Sequence, residues 1–374
     1  MGKKTEFLYL NEPEMIEAGV LDYKRCIDVE EEIFKLLSVG DYRMGGDKWN
    51  SHGISVKFPK EGECDFPNMP VDGPDRRFLA MPGYLGGRFN IAGQKWYGSN
   101  IINPSRGLPR SILLMILNDP DTCEPVALMS ANLVSAVRTG CVPGVATRYL
   151  ARKDAEVLAC LGAGPVSRSC CEAICLEAKN LKEVVVYDLF KEKAEAFAKD
   201  VTEKTGLKAR AMDTLEETVR LGDIVSVAAS SLKPIKMEND WLKKGSLLIF
   251  TGRGQVDEEY FSSAKILWDN VRMHDVYMDE HLALPENERF INGISVQIYK
   301  MIYEKKLPPI MEQTSLGDII LGNREGRVND DERIVFTAGG MPVWDLGWSY
   351  DVLQNAKAKG LGTTLKLWDE AHSM

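Results

Sequence analysis

The chain has 374 residues, 44% of them hydrophobic and 27% charged, with a net charge of −9 and a pI near 5.2. That length suits two domains sharing one cleft around a sizeable core, and the acidic balance argues against a nucleic-acid partner, which needs a basic face. No apolar run approaches the roughly 20 residues that span a bilayer, and no apolar segment follows the charged start, so neither a membrane span nor a signal peptide is expected and the expected location is cytoplasmic. The eight cysteines (26, 64, 123, 141, 160, 170, 171 and 175) form no Cys-x-x-Cys pair, and the four histidines are scattered, so no metal site is expected. Cys170, Cys171 and Cys175 read as small packing residues in a reducing compartment.

Residues 12–38 carry apolar side chains at helical spacing and predict a helix. Residues 40–75 are rich in Gly, Pro, Asp and Asn and predict a long loop with one strand at Gly53–Phe58. Strand-like runs follow at Phe78–Pro82, Asn90–Tyr97, Ser111–Asn118 and Pro125–Met129, the last two joined by the turn Asn118-Asp-Pro-Asp-Thr122. This first part predicts an antiparallel, β-rich domain. A helix is expected over Asn132–Leu150. Strands then alternate with helices: Val157–Leu161, Glu183–Tyr187, Ala209–Met212, Ile224–Ala228, Ser246–Phe250 and Lys265–Trp268, with helices such as Lys191–Thr205 and Leu215–Leu221, the latter capped by Thr214. The chain is expected to leave this second domain from about Glu312, and Asn355–His372 predicts a helix returning to the first.

The most informative stretch is Val157-Leu-Ala-Cys-Leu-Gly-Ala-Gly-Pro-Val-Ser167, followed by Val184-Val-Val-Tyr-Asp188. A strand ending in Gly162-Ala163-Gly164, a helix, and a second strand ending in an acid is the order of parts of a dinucleotide-binding βαβ unit. The glycines permit a tight turn and close approach of backbone N–H groups to a pyrophosphate at the helix N-terminus, and the acid can hold the ribose hydroxyls. Ser167 replaces the third glycine and is still small. Asp188 follows Gly162 by 26 residues, near the usual spacing of about 20. Its carboxylate favours NAD over NADP, whose 2′-phosphate it would repel; Lys191 is the nearest cation.

Met81-Pro-Gly-Tyr-Leu-Gly-Gly87, Lys95-Trp-Tyr-Gly98, Ala136-Val-Arg-Thr-Gly140, Ala146-Thr-Arg-Tyr-Leu-Ala-Arg-Lys-Asp-Ala155, Gly222-Asp-Ile-Val225, Leu316-Gly-Asp-Ile-Ile-Leu-Gly322 and Asp331-Glu-Arg-Ile-Val-Phe336 occur in an order that resembles the ornithine cyclodeaminase/mu-crystallin family. The resemblance covers nearly the whole chain. It implies an α/β fold: a Rossmann-type doubly wound parallel sheet at 141–324, and a β-rich α+β domain for substrate binding and homodimerisation at 1–140 and 325–374. It implies an NAD(P)-dependent enzyme working by hydride transfer at the C–N carbon of an amino acid, amine or cyclic imine. Ornithine cyclodeaminase activity proper stays open. So does a non-catalytic role, either in binding a nucleotide or as the second component of an amine-oxidising complex, as in relatives associated with tyramine oxidase.

Carried over position by position, the resemblance implies catalytic roles for Lys95 and Arg138. It implies substrate contacts from Arg77, Arg110 and Gly339, and a cofactor site of Gly162, Gly164, Pro165, Val166, Asp188, Ala229, Thr251, Gly252 and Ala338. From local sequence alone, Lys95 also reads as a surface lysine whose stem lies along apolar neighbours, and Arg138 as a structural ion-pair partner. In the catalytic reading Arg138 forks a carboxylate and Lys95 takes a proton, provided burial lowers its pKa. Two departures stand out. The family's catalytic Asp falls on Gly254, with Asp257 expected to cap the next helix. The family's early arginine, due near His52–Ser55, is absent, and Arg76 or Arg77 is the expected substitute. Trp96, Tyr97, Tyr84 and Trp344 are candidates for an aromatic wall or for packing.

Overall fold

The computed structural model describes residues 3–73, 75–230 and 233–372. The chain divides into two compact units, one of residues 1–22, 40–135 and 341–374, the other of 23–39 and 136–340.

The first unit is an eight-stranded sheet. Its strands run Thr363–Trp368, Thr5–Leu10, Pro125–Ser130, Ser111–Asn118, Ile91–Ser99, Arg77–Leu85 and Tyr42–Met44, with Ile54–Val56 also paired to Arg77–Leu85. All neighbours are antiparallel except Thr5–Leu10, which lies parallel to Pro125–Ser130. Alternation along each strand sorts the faces. Met81, Lys95 and Met115 are in register and buried beneath the helix Pro342–Lys359, whose Trp344, Leu346 and Trp348 are wholly buried. The opposite face exposes Ile54, Val56, Phe78, Trp96, Ile112 and Leu114, with Phe78 and Trp96 stacked at 5.6 Å.

The second unit is a parallel sheet ordered Lys208–Ala211, Glu183–Tyr187, Val157–Leu161, Ile224–Val227, Leu247–Phe250, Ile334–Thr337, Lys265–Trp268 and Thr314–Ser315. Its first five strands have the 3-2-1-4-5 order of a doubly wound sheet. Continuous apolar runs such as Val184-Val-Val186 are buried on both faces, as parallel strands require. Arg148, on the helix Asn132–Leu150, ties three helices together. It donates to both oxygens of Glu177 at 2.9 Å, to Glu31 at 2.6 Å and to Asp28 at 2.9 Å. Gly140 and Gly144 let that helix approach the helix Pro165–Glu177: a Cβ on Gly140 would stand 2.3 Å from the backbone carbon of Ser169.

Several expectations are corrected. Residues 12–38 form two helices, Glu12–Glu17 and Tyr23–Val39, because Gly19 turns the chain at φ +94°. The second helix groups with the parallel-sheet unit, held there in part by Arg148. That unit extends to Gly340, because Ile334–Thr337 inserts between two of its strands; the expected 141–324 boundaries shift accordingly. Asn355–His372 is not a helix. The helix ends at Gly360, in the left-handed region at φ +67°, and Thr363-Thr-Leu-Lys-Leu-Trp368 is an edge strand. Thr5–Leu10 and Tyr42–Met44 are strands that were not expected.

Gly140→Ala tests the helix approach. Helix propensity alone would favour alanine by about 1 kcal/mol. The overlap is with backbone, which cannot swing aside, so a net loss of about 1–3 kcal/mol and a lower urea midpoint are expected.

Candidate functional site

In the second unit, the expected cofactor residues lie at the carboxyl ends of the parallel strands, where open α/β sheets bind ligands. Gly162 adopts φ +106°, and a Cβ there would stand 2.8 Å from the Ala229 backbone; one on Gly252 would stand 2.9 Å from the Ala229 carbonyl oxygen. Gly162, Ala229 and Gly252 therefore pack into one floor that admits no side chain at either glycine. Gly164 takes the N-cap position of the helix Pro165–Glu177, with Pro165 and Val166 as its first residues, and has open space where a side chain would lie. Its helix leaves N–H groups unpaired at that end. Asp188 turns back onto the glycine loop: Oδ2 accepts from the Ala163 N–H at 2.8 Å and Oδ1 from the Phe190 N–H at 3.0 Å. Lys191 points elsewhere, to Asp213.

Thr251 receives the Cys170 thiol at 3.9 Å, and the Ala338 N–H donates to the Phe250 carbonyl at 3.0 Å. Gly339 donates its N–H to Asp269 Oδ2 at 2.7 Å. Burial pushes the Cys170 thiol up to about 12, and the neighbouring Cys160 thiol, with burial, holds Cys171 well above the usual range, so neither is a reactive thiolate at neutral pH. Gly254 starts a short strand and packs against the Phe250 ring, so no acid stands at that position. Asp257 does occupy the N-cap position of the next helix, but its side chain accepts from Asn239 N–H rather than capping. Arg138 is buried in its helix. Among the described residues no group of three or more His, Cys, Asp or Glu side chains is arranged to hold a metal ion, and no helix is long and apolar enough to cross a membrane.

In the first unit, Lys95 is not a surface lysine. It is 2% exposed, donates to Asp345 Oδ2 at 2.8 Å and lies 3.4 Å from Ser135 Oγ. Asp345 is wholly buried on the first turn of the helix Pro342–Lys359. An opposite charge is thus built directly against the lysine. Sequence reasoning missed Asp345. The signal was present: a single acid inside the apolar run Met341-Pro-Val-Trp-Asp-Leu-Gly-Trp348.

Arg77 and Arg110 converge on Asp75. Arg110 Nε donates to its Oδ2 at 2.7 Å, Arg77 lies 3.5 Å from its Oδ1, and Arg77 also covers the Tyr97 ring at 5.7 Å. The four aromatics do not form one wall. Sheet register places Tyr84 and Trp96 on the face opposite Lys95 and Tyr97, while Trp344 is sealed inside its helix packing.

The chain matches the model of the ornithine cyclodeaminase/mu-crystallin family over residues 20–360. It is 30% identical to N-((2S)-2-amino-2-carboxyethyl)-L-glutamate dehydrogenase of Staphylococcus aureus, over 78% of this chain and 82% of that protein. Among solved structures, it superposes on Thermococcus litoralis Δ(1)-pyrroline-2-carboxylate reductase in complex with NADH and L-proline, with a TM-score of 0.77, 24% identity, and coverage of 96% and 99% of the two chains. It also superposes on an archaeal alanine dehydrogenase dimer with bound NAD, with a TM-score of 0.74, 25% identity, and coverage of 97% and 100%. A match across this much of the sequence, together with the glycine floor and the strand order that carries it, places the chain in the ornithine cyclodeaminase/mu-crystallin family.

Proposed function

We propose that this chain is an NAD-dependent oxidoreductase acting at the C–N carbon of an amino acid, amine or cyclic imine. The observation that carries the reading is the buried Lys95–Asp345 pair: a proton-bearing group sealed beside a carboxylate, in a family whose members include dehydrogenases and imine reductases.

The dinucleotide fits the residues present. Gly162 makes the tight turn and Gly164 leaves room for a pyrophosphate, the helix beginning at Pro165 offers its N–H groups, and Asp188 presents a carboxylate to the adenosine ribose. Val166, Ala229, Thr251, Gly252 and Ala338 complete that cradle. Asp188, with Lys191 engaged by Asp213, favours NAD over NADP. The nicotinamide supplies or accepts the hydride. Arg138 forks the substrate carboxylate, and Arg77 and Arg110, gathered by Asp75, hold a further anionic group. Lys95 gives a proton to the imine nitrogen during reduction and takes it back during oxidation. Asp345 supplies the opposite charge that lets an ammonium exist at that depth.

Ornithine cyclisation is the less favoured reading, because Gly254, packed on Phe250, leaves no acid to handle the second amine. The chain is also proposed to form a homodimer through the exposed face bearing Ile54, Val56, Phe78, Trp96, Ile112 and Leu114. So contiguous an apolar face is rare on a monomer, and one structural neighbour is a dimer.

The direct test is NADH oxidation against a panel of cyclic imino acids and of 2-oxo acids with ammonia, repeated with NADPH, alongside ammonia release from L-ornithine. Substrate-dependent NADH loss, faster than with NADPH, is expected. Ammonia from ornithine without net NADH would instead establish a cyclodeaminase, and no turnover with intact NADH binding would establish a binding protein. Lys95→Met should lower kcat/KM by about 10²–10⁴ while leaving NADH affinity within about twofold; unchanged turnover would remove Lys95 from the chemistry. Trp96→Glu should shift the elution of the protein on a sizing column to that of a monomer, and a wild-type protein already monomeric would refute the dimer.

A further inference from the structure

Beyond the carboxyl end of the Lys265–Trp268 strand lies a polar chain that the proposed chemistry does not use. Asp269 and His274 are both sealed from solvent. Asp269 Oδ1 accepts from the Asn270 N–H at 2.8 Å and stands 2.7 Å from His274 Nε2. On the other side of the ring, His274 Nδ1 lies 2.6 Å from the Tyr299 hydroxyl, on the helix Val296–Tyr303. Burial holds that hydroxyl well above its usual range, so it keeps its hydrogen. Both ring nitrogens are therefore engaged, Nε2 by Asp269 and Nδ1 by Tyr299. The imidazole is thereby held in orientation from both sides. Trp268 lies against both rings, 4.4 Å from His274 and 6.0 Å from Tyr299 between centroids, which keeps the chain dry.

The far end of this chain is a backbone amide. Asp269 Oδ2 accepts the Gly339 N–H at 2.7 Å, the Asp269 N–H donates to the Thr337 carbonyl at 3.2 Å, and Ser295 and Thr337 share a hydroxyl–hydroxyl bond. Met273 closes the space beside Gly339, where a Cβ would stand 2.4 Å from its Cε. A carboxylate needed only to start the Val271–Leu282 helix would be satisfied locally, and Asn270 already caps that helix through Arg272 N–H. Asp269 instead commits one oxygen to a loop 70 positions away in the sequence, and two further side chains fix its orientation.

We propose that Asp269, His274 and Tyr299 form a positioning relay that fixes the Ala338–Gly339 segment for the nicotinamide end of the dinucleotide. The inference rests on the proposed function, which puts Ala338 in the cofactor cradle, and on the substrate contact that the family resemblance implies for Gly339. None of the three side chains is a catalytic residue; they act through the Gly339 amide, and no proton or electron moves along the relay. Removing its acidic member leaves a donor facing a donor: in Asp269→Asn the new amide must point its NH₂ at either the Asn270 N–H or the Gly339 N–H. Tyr299→Phe is milder, keeping the ring and removing only the hydroxyl that holds His274 Nδ1.

The test compares wild type, Asp269→Asn and Tyr299→Phe by hydrogen exchange of the 337–341 peptide without ligand, and by NADH affinity from fluorescence titration. About tenfold faster exchange and an NADH Kd raised about tenfold are expected in Asp269→Asn, with smaller changes of the same sign in Tyr299→Phe. Lys95→Met should change neither. Unchanged exchange overturns the relay. Faster exchange with unchanged NADH affinity also overturns it, leaving a core brace with no hold on the cofactor. If Asp269→Asn does not fold, Tyr299→Phe decides alone. A wild-type protein that binds no NADH removes the parent reading and this inference together, and that outcome is seen before any variant is measured.

Discussion

An ammonium cannot sit beneath a sheet without an opposite charge, and in this chain Asp345 supplies it to Lys95 at 2.8 Å. The pair is not explained by stability. Two charges taken out of water rarely repay their desolvation, and a well-packed apolar pair of similar volume serves a core as well or better. Lys95 lies in register with Met81 and Met115, two apolar residues that show what this layer otherwise accepts. Keeping a lysine there brings in the acid, the acid must stand on the first turn of a buried helix, and that helix must cover the sheet. Much of the first unit's core follows from that one requirement.

The second unit obeys a different constraint, the close approach of backbone at strand ends. Gly162, Ala229 and Gly252 pack so tightly that a single methyl group at either glycine would collide with main-chain atoms. Asp188 contributes twice: its hydrogen bond to Ala163 N–H sets the turn, and its charge sets the expected nucleotide preference. The floor and the Asp188 turn are thus built from contacts internal to the parallel-sheet unit.

The sequence reveals local features more readily than distant pairings. Val157–Leu161, Glu183–Tyr187, Ser111–Asn118 and Asn132–Leu150 begin and end where apolar periodicity places them, and Thr214 caps its helix by accepting the Glu217 N–H. Misreadings cluster where a glycine overrides periodicity. Gly19 splits one apparent helix into two, and Gly360 ends another soon after Asn355, where the expected one began. Asp345 was overlooked because its partner is 250 positions away. Asp269 and His274 were overlooked because a lone histidine in sequence gives no hint of the tyrosine and carboxylate that fold around it. Arg77 and Arg110 were each expected at the substrate, but nothing in their spacing announced that Asp75 would gather both.

The measurement that reaches the central claim most directly is transfer of label from NADH deuterated at the nicotinamide C4 to a cyclic imino acid, followed by mass spectrometry of the product. The account predicts one deuterium on the carbon bonded to nitrogen, retained in water, and its loss in Lys95→Met. Product without deuterium, or labelled cofactor recovered unchanged across the whole panel from a protein that binds it, would contradict an oxidoreductase built on this pair.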